Sequence, residues 1–245
     1  MSFREKSRDT MNRNYFLLMM GGVGSRFGAD CPKQFVEING KPIFSYILEK
    51  LNNNNLVSGV VVVCHESWVN FVKDYCGNKF KRLISVVQGG DCRSKSVFNG
   101  LKELRKIAKD DDVVLIHDAT HPHLDETKLP ELIEKVHEVG AATMCSCIYD
   151  TCYAKDEENI INKVIDRKTL AVGASPECFR FGLIYSIYDE ATEEELERMT
   201  SAGATFLSKG LKMATVESKL LNLKITYQDD MDLFKVLVDD YYYKK

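Results

Sequence analysis

The stretch "YFLLMMGGVGSRFGADCPKQF" occupies residues 15–35. Residues 15–20 are apolar and stop at Gly21 and Gly22. A short apolar run closed by glycines predicts a strand covered on both faces, with a glycine-rich turn at its carboxyl end. Outward from it, residues 57–64 (VSGVVVVC), 83–88, 113–117 (VVLIH) and 141–147 read as further strands. Between them, residues 41–51 (KPIFSYILEKL), 68–75, 95–108 and 128–139 space their apolar side chains as helices do. Pro42 falls early in its helix, where proline is tolerated, and Asn52 to Asn55 end it. This alternation predicts an α/β fold, a mostly parallel sheet with helices on both faces. Further along, residues 181–191 and 193–199 read as helices and 212–216 and 224–227 as short strands. Residues 229–241 read as a final helix whose acidic start suits its dipole.

Residues 148–172 (IYDTCYAKDEENIINKVIDRKTLAV) break the pattern with two short extended runs around a charged turn. They predict a β-arm that leaves the main sheet. A projecting arm exposes backbone edges that need a partner, and a second copy of the chain is the simplest one.

The chain has 245 residues, 44% hydrophobic and 28% charged, as ordinary globular proteins do. It shows no repeat, low-complexity tract or Pro/Ser-rich linker, so residues 15–245 read as a single domain behind a loose polar tail, residues 1–14. That tail lacks the apolar core of a signal peptide, and no apolar run reaches the roughly 18 residues of a membrane helix. The expectation is a cytoplasmic protein with no membrane partner. A net charge of −3 gives no global basic field for nucleic acid, so any phosphate site must be local. The eight cysteines are scattered and read as reduced thiols rather than a disulfide framework. Cys145 and Cys147, at alternate positions of one strand, read as small buried hydrophobes on one face.

In an open parallel sheet, ligands bind beyond the carboxyl ends of the strands. Gly21, Gly22 and Gly24 let backbone N–H groups approach an anion there. A turn that only reverses the chain needs no more than those glycines. Arg26 and Lys33 add the charge a triphosphate demands. The loop is not a Walker A sequence, because Gly28 is followed by Ala29 and Asp30. Gly22, Gly24 and Gly28 also miss the dinucleotide fingerprint by one residue.

The segment GGVGSRFGADCPKQF resembles the nucleotide loop of the cytidylyltransferases that act on 2-C-methyl-D-erythritol 4-phosphate and on ribitol 5-phosphate, roughly GG-x-G-x-R and then PKQ. GGDCRSKSVFNGL (89–101) is similar to that family's GG-x-x-R-x-x-S-V-x-x-G-L, and VLIHDATHP (114–122) to its V-H-D-A-x-R-P. NLKIT (222–226) is similar to its N-x-K-I-T. Weaker echoes are DT at Asp150, IDR at Asp166 and SPECF from Ser175, where the family usually has TPQ-x-F. The resemblance spans residues 15–237.

It implies a Rossmann-like sheet, a dimer formed through the β-arm, CTP as substrate and a divalent cation, usually Mg2+. An oxygen of an alcohol phosphate would attack the α-phosphorus of CTP, giving a CDP-alcohol and pyrophosphate. Arg26, Lys33 and Lys224 are then expected to carry catalysis by gripping phosphate oxygens and the charge that develops in flight. Gly21, Gly22, Gly24, Gly89, Gly90, Asp91, Ser96, Asp118 and Ala119 are expected around the nucleotide, the second turn offering backbone and the Asp91 carboxylate to the cytosine edge. Ser96, near the start of a helix, also reads as part of an N-terminal cap. Asp118 is the expected Mg2+ ligand, since carboxylate oxygen suits that ion. Thr151, Arg167, Ser175, Thr200 and His121 are expected toward the alcohol phosphate, Thr151 and Arg167 reaching it from the partner's arm or serving only as its surface.

The chain departs from the family on the acceptor side. His121 stands where the family has arginine, TSAGATF lacks the acid of a T-D segment, and Leu221 stands where erythritol-type enzymes tend to carry an acid. Ribitol 5-phosphate or a similar polyol phosphate is therefore the first expectation and methylerythritol phosphate the second. Three rival readings stand beside these. One is a zinc or iron site built from His117, Asp118, His121 and His123. Another is an enzyme using UTP or a different nucleotide. The third is a nucleotide-binding regulatory protein without catalysis.

Overall fold

In the computed structural model, residues 12–21 and 31–239 are described. The first strand, β1 (Asn14–Met20), is followed by two short strands, β2 (Glu37–Ile38) and β3 (Lys41–Pro42). Then come α1 (Ile43–Asn53), β4 (Gly59–Cys64), α2 (Glu66–Cys76), β5 (Leu83–Gln88), α3 (Arg93–Arg105) and β6 (Val113–Asp118). The second half holds α4 (Leu129–Val139), β7 (Ala141–Ser146), β8 (Cys152–Lys155), β9 (Ile161–Ile165) and β10 (Val172–Arg180). It closes with α5 (Phe181–Asp189), α6 (Glu193–Arg198), α7 (Ala202–Ser208), β11 (Ala214–Glu217) and α8 (Gln228–Leu237).

The main sheet has seven strands in the order β11-β7-β10-β6-β1-β4-β5. β1 pairs in parallel with β4 on one side and β6 on the other. The chain thus winds outward from β1 to β5, and α3 carries it back across to β6. The carboxyl ends of β1 and β6 lie side by side at that reversal, where open α/β sheets bind ligands. Because β1 is covered on both faces, its side chains alternate between two layers. Phe16, Leu18 and Met20 join Phe44, Val72 and Leu132 from α1, α2 and α4. Tyr15, Leu17 and Met19 join Leu101, Phe181 and Phe206 from α3, α5 and α7.

The expected strands form except at 224–227, the expected helices form, and the structure differs from the sequence expectation at the following places. β10 is a central antiparallel strand between β6 and β7 that the sequence hides. Gly173, Pro176 and Glu177 interrupt its apolar pattern, although Cys178 and Phe179 are fully buried. The helix expected from residue 41 starts at Ile43, with Pro42 as its N-cap. Residues 224–227 are not a strand: in the main chain, Ile225 N–H bonds the Thr120 carbonyl at 2.8 Å. The helix expected over 95–108 begins at Arg93, which changes what its first turn presents. Cys147 lies one residue beyond β7 and is exposed, unlike buried Cys145.

The arm is present. β8 and β9 form their own two-stranded antiparallel sheet apart from the main one. Tyr149, Ile160, Ile161 and Val164 on and beside it are 59–75% exposed. Of the expected tail, residues 12 and 13 and the start of β1 are described, and Arg13 N–H donates to Asp112 Oδ1 at 2.8 Å.

Candidate active site

Four loops meet at the carboxyl edge of β1, β5 and β6. The first follows β1 and re-enters with Lys33, in a single tight turn over Lys33–Phe35. Two neighbours fix that turn. Gln34 Nε2 donates to the Met20 carbonyl at 2.7 Å, and Phe35 stacks on Trp68 of α2 with centroids 4.1 Å apart. Lys33 Nζ then donates to the Ile225 carbonyl at 2.5 Å, joining this loop to the segment that carries Lys224. Gly22, Gly24 and Arg26 lie outside the described residues.

The second loop follows β5. Gly89 N–H bonds the Cys64 carbonyl at 2.8 Å, and Gly90 N–H bonds Ser96 Oγ at 3.0 Å. Both amides expected to face the base are thus used inside the protein. A Cβ at Gly89 would stand 2.7 Å from Ser96 Oγ, and one at Gly90 would stand 2.5 Å from Lys95 Cβ, so the turn closes only with glycines. Ser96 is buried and also donates to the Cys92 carbonyl at 2.9 Å. Its hydroxyl holds this turn, whereas the N-cap of α3 is Cys92 and no side chain caps it, so Ser96 is a brace and not the expected cap. A Cβ at Gly21 would lie 3.5 Å from the same hydroxyl, so Ser96 is where the two glycine turns meet. What the second turn turns outward is Asp91, 96% exposed.

Asp118 ends β6 and sits at the centre. Arg93 Nη1 reaches its Oδ1 at 2.5 Å, and Lys224 Nζ its Oδ2 at 3.3 Å. Burial pushes the Asp118 carboxyl up, but Arg93 and Lys224 together outweigh that and hold it below the usual carboxylate range. Asp118 is therefore an anion between two cations. Ala119 lies fully buried behind it with its N–H on the Met19 carbonyl, so its side chain and amide are both engaged within the protein.

A chain of hydrogen bonds fixes the loop after Asp118. Asp118 N–H donates to Ser175 Oγ at 3.1 Å, and Ser175 Oγ lies 3.0 Å from His117 Nδ1. His117 Nε2 bonds the His121 carbonyl at 2.8 Å. A carbonyl only accepts, so Nε2 carries the proton and Ser175 donates to Nδ1. Both ring nitrogens of His117 are engaged. Burial holds His117 below the usual imidazole range, and burial with His117 nearby pushes His121 down to about 3. His121 is buried and neutral, so it supplies none of the charge of the family's arginine. Ser175, expected at the acceptor, is instead this brace.

Thr200 is exposed just before α7. Thr151 and Arg167 lie at the root of the arm, where an Arg167 guanidinium N–H donates to the Tyr149 carbonyl. No hydrogen bond or ion pair among the described residues links them to Asp118. Two residues were missed by the sequence reading. Arg93 was legible as the arginine of GG-x-x-R, once α3 is seen to start there. Glu177 stands where the family usually has glutamine. Its Oε1 accepts Gly203 N–H at 3.1 Å while Oε2 is buried with no partner, and burial raises this carboxyl.

The site fits a divalent cation held by one carboxylate. Asp118 is held as the carboxylate, and its Oδ2 contact with half-exposed Lys224, at 3.3 Å, is the looser of its two ion pairs. Mg2+ is commonly held by one or two carboxylates with substrate phosphates and water completing its shell. Among the described residues no group of three or more His, Cys, Asp or Glu converges on a metal position.

Residues 15–240 match the family model described as IspD, 2-C-methyl-D-erythritol 4-phosphate cytidylyltransferase. A ribitol-5-phosphate cytidylyltransferase of Lacticaseibacillus paracasei is 33% identical over 89% of this chain and 95% of its own length. A 2-C-methyl-D-erythritol 4-phosphate cytidylyltransferase of Thermotoga neapolitana is 30% identical over 93% and 98%. The fold matches the crystal structure of 4-diphosphocytidyl-2C-methyl-D-erythritol synthase from Anaerococcus prevotii with a TM-score of 0.79, at 21% identity, over 93% of this chain and 96% of that one. Matched almost from end to end, with its lysines and aspartate gathered at the reversal of the sheet, the chain belongs to the 2-C-methyl-D-erythritol 4-phosphate cytidylyltransferase family of nucleotidyltransferases.

Proposed function

We propose that this cytidylyltransferase couples CTP to ribitol 5-phosphate or a closely similar polyol phosphate. The observation that carries the reading is the gathering of Lys33, Arg93, Asp118 and Lys224 beside the turn at Gly89–Ser96. Ribitol is favoured because the acceptor side departs from the erythritol pattern at Leu221 and at His121, which is neutral here. The 33% identity to a ribitol-5-phosphate enzyme agrees.

The nucleophile is already an anion on the incoming phosphate, so no covalent catalyst is required. Positioning and charge must carry the rate. Lys33 and Arg26, on one loop, grip the β- and γ-phosphates. Lys224 follows the charge growing on the α-phosphorus. Asp118 would hold Mg2+, which supplies charge neutralisation on the triphosphate, and Arg93 keeps that carboxylate ionised and aimed. Gly21 lines the triphosphate side, and Asp91 meets the exocyclic amine of cytosine.

The acceptor's phosphate is assigned to Thr151 and Arg167 of a second copy and to Thr200. The arm supports such a homodimer, since Tyr149, Ile160, Ile161 and Val164 form an exposed apolar hairpin with open backbone edges.

Pyrophosphate release is the test. The chain with Mg2+, CTP and ribitol 5-phosphate is expected to turn over with higher kcat/KM than with methylerythritol phosphate. A reversed preference moves the assignment to the erythritol substrate, and nucleotide binding without release under every acceptor ends the catalytic reading.

A further inference from the structure

Lys95 is the third residue of α3 and only 19% exposed. Its Nζ lies 2.9 Å from Glu193 Oε2 and 3.1 Å from Glu197 Oε1, acids one turn apart on α6. Asp91 Oδ2 is farther, at 3.9 Å. α6 is held in place independently of these charges. Leu196 is buried in the core, Ser94 Oγ donates to its carbonyl, and the Thr192–Glu195 capping box closes the helix start.

Asp91 and Lys95 are four residues apart, with the acid first, the arrangement that pairs readily in a helical turn. Without α6, Lys95 has one carboxylate to join, and it is the one that faces the base. Two nearer carboxylates draw it the other way, so the Asp91 pair is stretched to 3.9 Å and its carboxylate stays 96% exposed. Cytosine offers an N4 amine donor that a carboxylate accepts, whereas the corresponding uracil atom is an acceptor. A free Asp91 favours cytosine and an ammonium in its place favours uracil.

We infer that Glu193 and Glu197 determine base specificity by holding Lys95 off Asp91. The inference rests on the reading that Asp91 faces the base. Lys95, Glu193 and Glu197 are positioning residues that act through it.

The test compares the dissociation constants of CTP and UTP, by calorimetry with Mg2+, across four variants. Glu193→Gln with Glu197→Gln is expected to narrow the CTP:UTP preference by about twofold to fivefold, the size of effect exposed charge pairs exert, through affinity and with kcat for CTP kept. Adding Lys95→Met to that double variant restores the preference, which general damage to α6 would not allow. Lys95→Met alone keeps it. An unchanged preference in the double variant, or no restoration in the triple, overturns the role of α6. Asp91→Asn separates the two readings. If it retains the full preference, the base contact of Asp91 is wrong; if it loses the preference while the double variant does not, only the clasp is wrong.

Discussion

At the scale of single residues, charge at this site is arranged in pairs that a polyanion would rearrange. Lys33 rests on the Ile225 carbonyl and Lys224 on Asp118, so each cation already has an oxygen partner near the place where phosphate oxygens would lie. The turn that carries Lys33 is anchored by the buried residues that follow it, Gln34 and Phe35. Lys33→Ala is expected to lower turnover by about 10²–10³, the cost of removing one donor from a developing oxyanion, with a far-UV spectrum and thermal midpoint like those of the parent. Equal pyrophosphate release by the two proteins would remove Lys33 from the mechanism. Lys33, Asp118 and Lys224 were legible in the sequence because each sits in a short motif after a strand. Arg93 lay in the GG-x-x-R motif, but its part depends on where α3 begins. The bracing by Ser96 and Ser175 was unreadable for another reason: a hydroxyl near a site looks the same in sequence whether it points at a ligand or at a backbone amide.

At the scale of elements, β6 and its connection to α4 carry three histidines, His117, His121 and His123, that the fold keeps neutral. His123 is pushed down to about 4, by burial first and then by Lys50, with Asp125 opposing. Its unfolded pKa is near 6.5, so below that value the unfolded chain binds more protons than the native one. The stabilising effect of a neutral His123 is complete above about pH 6.5 and declines as pH falls toward about 4. The thermal midpoint should therefore drop between pH 7 and 4.5, and His123→Gln should shrink that drop; an identical pH profile in the variant would exclude His123 as its source. The elements themselves were mostly legible, since β1, β4 and β6 are apolar runs that no other structure explains. β10 escaped because Gly173, Pro176 and Glu177 interrupt a strand in which only Pro176, Cys178 and Phe179 are buried, and α7 because Gly203 dilutes its apolar spacing while only the N-cap at Ser201 marks it.

At the scale of the molecule, the arm is the element the main sheet does not account for. Its hairpin joins no strand of the seven-stranded sheet, and its apolar side chains face solvent. Replacing residues 152–165 by a short turn should give a monomer by light scattering after gel filtration. Acceptor turnover should fall sharply while CTP affinity stays, because the proposed roles of Arg167 and Thr151 act across a dimer and those of the nucleotide loops do not. A dimer that survives the deletion would send the search for an interface elsewhere. The placement of β1 has its own consequence. Since that one strand feeds side chains to both layers and leads into the glycine turn proposed to hold nucleotide, neither layer can melt while the other persists. Denaturant should therefore meet one cooperative transition, with nucleotide binding vanishing in step with the whole fold and no half-folded species left able to hold it.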